Sequence, residues 1–220
     1  MATQSHNFKV IVLGTSEIGK TCLIKRFCTR TYEPSKCKVT MGFDFTSNKI
    51  ERNNKQINLE IWDTAGQEQY HAIAKMYYKD VHGVILVYDI TRRKSFEKLN
   101  FWIEDLAAHG NKLEERILVG TKTDLEDERE VDLLEAKRFA AENKLSWMEC
   151  SSKTGIGVDN IFNTLADKMI NSYNTNHNFR DLFNRKTLVV MRPDKDVNTG
   201  NNYRLSKKSI NKSRKDGCCS

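Results

Sequence analysis

Residues 14–21 read GTSEIGKT, a complete match to the phosphate-loop pattern G-x-x-x-x-G-K-S/T. The apolar run at 8–13 predicts a buried strand before this segment, and residues 20–29 continue it with helical spacing. A loop between a strand and a helix points backbone N–H groups and the positive end of the helix dipole at an anion. Lys20 adds a full positive charge, and Thr21 offers a hydroxyl to Mg²⁺. We therefore interpret the segment as a phosphate site rather than a glycine-rich turn that happens to contain lysine.

Strand-like and helix-like segments alternate along the first 170 residues. The predicted strands are 8–13, 43–51, 56–62, 83–89, 116–120 and 146–150. The predicted helices are 20–29, 69–79, 93–109, 132–143 and 157–172. The polar turn at 52–55 indicates a hairpin, and the apolar runs 84–87 and 117–119 are typical of parallel strands covered on both faces. The predicted fold class is α/β, a mostly parallel six-stranded sheet with one antiparallel hairpin strand, flanked by five helices.

Ligands of such sheets bind at the carboxyl ends of the strands, and a second motif lies at one of these ends. The sequence DTAG at 63–66 directly follows the strand 56–62. Asp63 suits a Mg²⁺ site, and Gly66 lets a backbone N–H approach a γ-phosphate. The next residue, Gln67, can orient an attacking water molecule.

Two further strand ends carry motifs that suit a guanine base. In TKTD at 121–124, the carboxylate of Asp124 can accept hydrogen bonds from N1–H and the exocyclic amine of guanine, a pair that adenine lacks. The apolar stem of Lys122 can lie over the base, and CSSK at 150–153 can place a backbone N–H at the guanine oxygen. Each motif alone is compatible with an ordinary strand-end loop. Four of them in order at successive strand ends favour a guanine nucleotide site.

The positive charge of the chain is concentrated near its carboxyl end. Residues 171–220 contain eleven Lys and Arg against four Asp and Glu, a surplus that equals the net charge of +7 for the whole chain. This segment is polar, and we expect it to be flexible from about residue 175. A basic segment of this kind is a solvated tail, a nucleic-acid arm or a membrane-surface segment. The ending DGCCS at 216–220 favours the membrane surface.

The six cysteines contain no C-x-x-C spacing, and the sequence shows no signal peptide, so we expect reduced thiols in the cytosol. No apolar stretch approaches the length of a membrane span. Ala2 excludes N-myristoylation, and we therefore expect membrane attachment through the carboxyl-terminal cysteines.

With these motifs the chain resembles the Ras-like small GTPases over about residues 6–173, and within them the Rab proteins. The segments that carry the resemblance are TMGFDF at 40–45, LEIWDTAGQE at 59–68, MYY at 76–78 and GVILVYDIT at 83–91. The resemblance implies a P-loop NTPase G domain over residues 1–174. It also implies that residues 175–220 form a flexible basic hypervariable tail ending in a prenylation motif.

The motifs and the resemblance together give the expected site. The nucleotide-binding residues are Gly14, Ser16, Glu17, Ile18, Gly19, Lys20, Thr21, Cys22, Tyr32, Thr40, Asp63, Gly66, Thr121, Lys122, Asp124, Ser151, Ser152 and Lys153. The metal ligands are Thr21, Thr40 and Asp63, and the catalytic residue is Gln67. The resemblance implies an exposed aromatic triad of Phe45, Trp62 and Tyr77 that meets effectors, for which core packing is the alternative. It also implies prenyl groups on Cys218 and Cys219, although a single trailing serine is an unusual form of the ending.

The implied function is a switch that binds Mg²⁺ with GTP or GDP, hydrolyses GTP slowly and regulates vesicle traffic through effectors. The implied partners are effectors, an exchange factor, a GTPase-activating protein and a prenyl-binding escort, with no nucleic acid. The expected form is a monomer on the cytoplasmic face of an intracellular membrane, cycling with the cytosol. The alternatives are a nucleotide-binding module with little or no hydrolysis and a phosphate-loop ATPase or kinase. Four departures from the family pattern are Glu17, Thr121, Ser152 and a first switch one residue longer than usual between Tyr32 and Thr40.

Overall fold

The computed structural model describes residues 5–33, 35, 40, 43–52, 55–64 and 78–184. Its strands are β1 (Ser5–Leu13), β2 (Phe43–Arg52), β3 (Lys55–Thr64), β4 (Gly83–Asp89), β5 (Glu115–Thr121) and β6 (Ser146–Glu149). Its helices are α1 (Lys20–Thr29), α2 (Arg93–Glu97), α3 (Leu99–His109), α4 (Leu133–Glu142), α5 (Val158–Thr175) and α6 (His177–Asn184), with a 3₁₀ helix at Thr123–Glu128. All six predicted strands are present, with ends that differ by at most a few residues.

The six strands form one sheet in the order β2-β3-β1-β4-β5-β6. Only β2 runs antiparallel to its neighbour, because it forms a hairpin with β3, and the other pairings are parallel. This confirms the predicted α/β fold class. Parallel order brings the carboxyl ends of β1, β3, β4, β5 and β6 to one edge of the sheet, which is where the motifs lie.

The helices differ from the prediction in detail. The helix predicted at 93–109 is divided at Lys98 into α2 and α3, and the 3₁₀ helix after β5 was not predicted. The helix predicted at 69–79 lies outside the described residues apart from 78 and 79, which belong to a turn region. Among the described helices, none is both long and apolar enough to cross a bilayer.

Apolar side chains cover both faces of the sheet. One core layer packs α1, α5 and α6 against the alternate residues of β1, β4 and β5 that face them, including Val10 and Val87. The other layer packs α3 and α4 against the intervening residues, including Ile11 and Leu86. Burial on both faces explains why the central strands read as unbroken apolar runs.

The expectation of a flexible chain from about residue 175 is wrong for residues 177–184, which form α6. Asn176 begins this helix by accepting hydrogen bonds from the backbone N–H groups of Asn178 and Phe179, at 3.0 and 3.3 Å. Phe179 and Leu182 are 0% and 2% exposed. Their burial accounts for an ordered helix in a segment that is otherwise polar.

The helix α6 covers an aromatic cluster at the amino edge of the sheet. The ring centroid of Phe183 lies 5.3 Å from that of Phe8, 5.5 Å from His6 and 5.7 Å from His82. The Nδ1 atom of His82 accepts a hydrogen bond of 2.9 Å from the backbone N–H of Lys9, so its ring is neutral with the proton on Nε2. Burial, helped by the charge of Lys9 and opposed by Asp80, lowers the pKa of His82 to about 4 from its ordinary 6.5.

This depressed pKa predicts loss of stability in mild acid. Between pH 6.5 and about 4 the unfolded chain binds a proton at His82 that the folded protein does not bind. The free energy of unfolding therefore falls as the pH drops through this window, by about 2 kcal/mol from pH 7.5 to pH 5, and is independent of His82 above it. Urea unfolding at the two pH values measures the loss. We expect His82→Gln to reduce it. An equal loss in wild type and His82→Gln would contradict this account.

Candidate functional site

The loop at residues 14–19 joins β1 to α1 in the predicted geometry. Gly14 has φ 145°, and a Cβ atom there would lie 2.4 Å from the carbonyl oxygen of Val87, so no larger residue fits. Gly19 begins α1 in the left-handed region with φ 95°. The amino-terminal turn of α1, with its backbone N–H groups, therefore lies at the carboxyl edge of the sheet.

Lys20 is buried at the start of α1, with 5% of its surface exposed. Its ammonium group donates to the carbonyl oxygens of Gly14 at 2.9 Å and Thr15 at 2.6 Å. Burial lowers the pKa of Lys20 to about 8, against the opposing charge of Asp63. A buried ammonium group gains stability from any anion bound beside it, so this residue favours a phosphate ligand.

Thr21, Thr40 and Asp63, the three predicted metal ligands, lie together beside this loop. Oδ2 of Asp63 accepts hydrogen bonds from the hydroxyls of Thr21 at 2.5 Å and Thr40 at 3.2 Å, and the two hydroxyl oxygens are 3.0 Å apart. Oδ1 of Asp63 is buried with no hydrogen-bond partner among the described residues. Burial raises the pKa of Asp63, although the hydrogen bonds and the charge of Lys20 oppose this effect. Two hydroxyls and a desolvated carboxylate suit a hard divalent cation such as Mg²⁺, which takes oxygen ligands.

The side chain of Thr121 contacts backbone carbonyls of the phosphate loop and of β4. Its hydroxyl donates to the carbonyl oxygen of Ile18 at 2.6 Å and lies 3.0 Å from that of Tyr88, and the residue is 1% exposed. The hydroxyl therefore ties the phosphate loop to the ends of β4 and β5. This geometry indicates that Thr121 acts by positioning the loop.

The two base motifs meet at the ends of β5 and β6. The hydroxyl of Ser151 donates to Oδ1 of Asp124 at 2.6 Å, and the ammonium group of Lys153 is 3.7 Å from Oδ2. The backbone N–H of Thr123 donates to the carbonyl of Cys150 at 3.2 Å. Asp124 is thus held in place from both loops, as a fixed acceptor for a base requires.

Lys122 has a partner that the sequence reasoning missed. Its ammonium group lies 2.6 Å from Oδ2 of Asp89, a carboxylate with no exposed surface at the end of β4. Asp89 also accepts hydrogen bonds through Oδ1 from the backbone and hydroxyl of Thr91. The pair anchors the tip of Lys122, whose backbone is left-handed with φ 66°. The signal was available, because Asp89 is an acid at the end of an apolar strand.

Glu17 belongs to the loop through its backbone, while its side chain lies in solvent. The side chain is 66% exposed and its Oε2 is 3.6 Å from Nη1 of Arg92, which is also exposed. Its φ of 63° is in the left-handed region, where a residue other than glycine costs about 1–2 kcal/mol. The structure therefore places the carboxylate beside Arg92.

The expected exposure of the aromatic triad holds for Phe45 and fails for Trp62, and contact with effectors stays a prediction. Phe45 is 47% exposed, but Trp62 is 8% exposed because it belongs to the core layer under α3 and α4. The rings are neighbours across β2 and β3, with centroids 5.1 Å apart. Core packing, the alternative for this triad, applies to Trp62, and Tyr77 lies outside the described residues.

The other predicted residues are distributed as follows. Ser16, Cys22 and Tyr32 are half-buried, and Ser152 is buried at the end of β6. Gly66, Gln67, Cys218 and Cys219 lie outside the described residues, so their roles stay predictions.

Comparison with known proteins finds relatives of one family. A model of the Ras family matches residues 9–171. Ras-related protein RABA4b from Arabidopsis thaliana is 41% identical over 167 residues, which are 76% of this chain and 74% of that protein. Ras-related protein Rab-10 from Diplobatis ommata is 39% identical over 163 residues, 74% of this chain and 81% of that protein. GTP-binding protein ypt2 from Schizosaccharomyces pombe is 36% identical over 197 residues, 86% of this chain and 98% of that protein.

A phosphate loop after β1, a buried Asp63 near the end of β3, and the TKTD and CSSK motifs at the ends of β5 and β6 define the P-loop GTPase class. With the matches above, the chain belongs to the Ras family of small GTPases, as a Rab protein. It is a GTPase that regulates membrane traffic.

The contact between Thr121 and Ile18 predicts a nucleotide-release phenotype. Thr121→Val keeps the shape of the side chain but leaves the buried carbonyl of Ile18 without its donor, at a cost of about 1–3 kcal/mol. We expect GDP to dissociate about tenfold faster, and Thr121→Ser to restore the slow rate because it keeps the hydroxyl. Release of a fluorescent GDP analogue measures the rate. Unchanged release by a destabilised Thr121→Val protein would show that the hydroxyl supports the fold alone.

Proposed function

We propose that this Rab protein binds GTP and GDP with Mg²⁺ at the carboxyl edge of its sheet and hydrolyses GTP slowly. The observation that carries the proposal is the convergence of Thr21, Thr40 and Asp63 beside the buried ammonium group of Lys20. These residues join the phosphate loop to β3 and to a residue of the first switch, Thr40. They supply one charge for phosphate and three oxygen groups for a divalent cation.

The nucleotide is oriented by groups at both ends of the site. Lys20 and the N–H groups of the phosphate loop hold the phosphates, while Asp124 accepts from the N1–H and exocyclic amine of guanine. Mg²⁺, held by Thr21, Thr40 and Asp63, would supply positive charge against that of the phosphates. Gln67 orients the attacking water molecule.

Thr40 gives the site its dependence on the γ-phosphate. Because its hydroxyl contacts both Thr21 and Asp63, a γ-phosphate and Mg²⁺ that hold this group also hold the first switch in position. Loss of the phosphate by hydrolysis removes that restraint. Effectors that contact Phe45, at the edge strand β2, then distinguish the GTP form from the GDP form.

Regulatory partners complete the cycle. Residues 31–42 and 65–77 contain no arginine, so neither switch segment offers an internal arginine finger. Fast hydrolysis then requires a GTPase-activating protein, which contributes a factor of roughly 10³–10⁵ in related systems. An exchange factor, a prenyl-binding escort and a GTP-dependent effector are the other proposed partners, and the proposed active form is a monomer.

Single-turnover phosphate release from the GTP-loaded chain tests the function. We expect slow intrinsic release, strong stimulation by an extract with activating protein, and loss of that stimulation in Gln67→Leu with nucleotide affinity nearly unchanged. Gln69→Leu is a matched control of the same residue type and should behave as wild type.

Two results would overturn the proposal. Absence of phosphate release, with and without the extract, would favour a nucleotide-binding module with little or no hydrolysis. Displacement of labelled GDP by ATP as readily as by GTP would favour the ATPase or kinase alternative.

We also propose that residues 175–220 include a membrane anchor, with prenyl groups on Cys218 and Cys219 and support from the basic residues of this segment. One lipid chain gives marginal, reversible binding and two give stable anchoring, which basic residues near an anionic surface strengthen. The protein would then cycle between the cytosol and the cytoplasmic face of an intracellular membrane.

Replacement of both cysteines by serine should make the protein cytosolic, and either single replacement should leave weak membrane binding. Fractionation of cells expressing each variant measures the effect, with Cys28→Ser as a control thiol outside the tail. Mass spectrometry of the peptide containing both residues provides a direct measurement. Two unmodified thiols in the native protein would contradict the anchor.

A further inference from the structure

Arg129 connects the two loops on the base side of the site. It directly follows the 3₁₀ segment Thr123–Glu128, which contains Asp124 and is kinked at Leu125, and its guanidinium group reaches Glu149 at the end of β6. The loop that starts at Cys150 follows Glu149 immediately. One side chain therefore links the segments that carry the two base motifs.

The guanidinium group of Arg129 is fully occupied by these contacts. Nε and Nη2 donate to the two carboxylate oxygens of Glu126 at 2.8 and 2.7 Å. Nη1 and Nη2 donate to the two oxygens of Glu149 at 2.8 and 3.0 Å, and Nη1 also donates to the carbonyl of Val131 at 3.1 Å. Arginine has five N–H donors in a fixed plane, so these five bonds determine the position of the group.

Of the two ion pairs that Arg129 makes, the one with Glu149 is the more buried. The side chains of Arg129 and Glu149 are 14% and 13% exposed, whereas that of Glu126 is 62% exposed. Glu149 also accepts a longer hydrogen bond of 3.5 Å from the hydroxyl of Tyr88, which accepts one of 3.2 Å from the indole of Trp147. The end of β6 is thus fixed on both sides of Glu149.

The orientation of Asp124 depends on the separation of these two segments. Its backbone lies in the 3₁₀ helix, while its Oδ1 is held by Ser151 on the other loop at 2.6 Å. A shift of one segment relative to the other moves the carboxylate or breaks this bond. A carboxylate that accepts two hydrogen bonds from one base edge tolerates little displacement.

We infer that Arg129 is a positioning residue for guanine recognition, which sets the orientation of Asp124 by fixing the 3₁₀ helix against the end of β6. The inference rests on the proposed role of Asp124 as the guanine acceptor. It assigns the charge network of Glu126, Arg129 and Glu149 to base specificity in addition to the stability of the fold.

Equilibrium binding of GDP and IDP to the full chain tests this inference, because inosine lacks the exocyclic amine of guanine. Arg129→Lys keeps the charge but cannot make bidentate contacts with both carboxylates. We expect the affinity for GDP to fall about tenfold, the equivalent of one hydrogen bond to a charged group, and that for IDP to fall less. The preference for GDP over IDP should therefore decrease.

Two more variants keep the test decisive. Glu126→Gln alters only the exposed half of the network and should fold normally, with a smaller decrease of the same preference. Arg93→Lys is the matched control, because the guanidinium group of Arg93 also bonds two carboxylates, those of Glu97 in α2 and Glu135 in α4. We expect its preference to equal that of wild type.

Equal losses of GDP and IDP affinity, or no loss, in both Arg129→Lys and Glu126→Gln would overturn the inference and leave Arg129 as a support of the fold. A wild-type chain that binds ADP as tightly as GDP would instead overturn the proposed function. The two failures are therefore distinguishable.

Discussion

The site depends on one pair of opposite charges held in the interior at the carboxyl edge of the sheet, Lys20 and Asp63, which are 5% and 4% exposed. Isolated buried charges are unfavourable, and here each is partly compensated by fixed polar groups. Lys20 donates to carbonyls of its own loop, and Asp63 accepts from hydroxyls of two other segments. The compensation is incomplete, because Oδ1 of Asp63 has no hydrogen-bond partner among the described residues.

This arrangement requires the parallel sheet. Lys20 begins the helix that follows β1, and Asp63 is the next-to-last residue of β3. The two strands are parallel neighbours, with Val12 opposite Asp63. Thr121 at the end of β5 supports the phosphate loop from the other side. The phosphate loop and the TKTD motif therefore both depend on the position of the end of β5. A displacement of this strand would move the residues of both.

Much of the fold was predictable because burial on both faces leaves unbroken apolar runs in β4 and β5. The phosphate-loop motif also indicates a strand before it and a helix after it, which are β1 and α1. The clustering of the motif residues within the described chain was also predictable, since strand order brings them to one edge of the sheet. The partners of these residues were not. The sequence gives no distance between Lys122 and Asp89, or between Arg129 and Glu149, so side-chain contacts required the structure.

The errors about the segment after residue 175 and about Trp62 have a common physical cause. Average polarity suggested a flexible segment after residue 175, but Phe179, Leu182 and Phe183 have helical spacing and only one face of a short helix needs apolar residues. Trp62 was expected at the surface, yet this aromatic residue, two positions before the end of β3, is buried because core residues cover that face of the sheet. Composition averages over the two faces of an element, whereas burial depends on one of them.

The helix α6 also determines where this protein can be shortened. Cleavage or truncation after residue 174 would remove Phe179, Leu182 and Phe183 and expose the rings of His6, Phe8 and His82 that they cover. A soluble fragment for crystallisation or binding assays should therefore keep the chain to at least Asn184. A boundary chosen from the family match, which ends at residue 171, would leave an apolar surface that promotes aggregation.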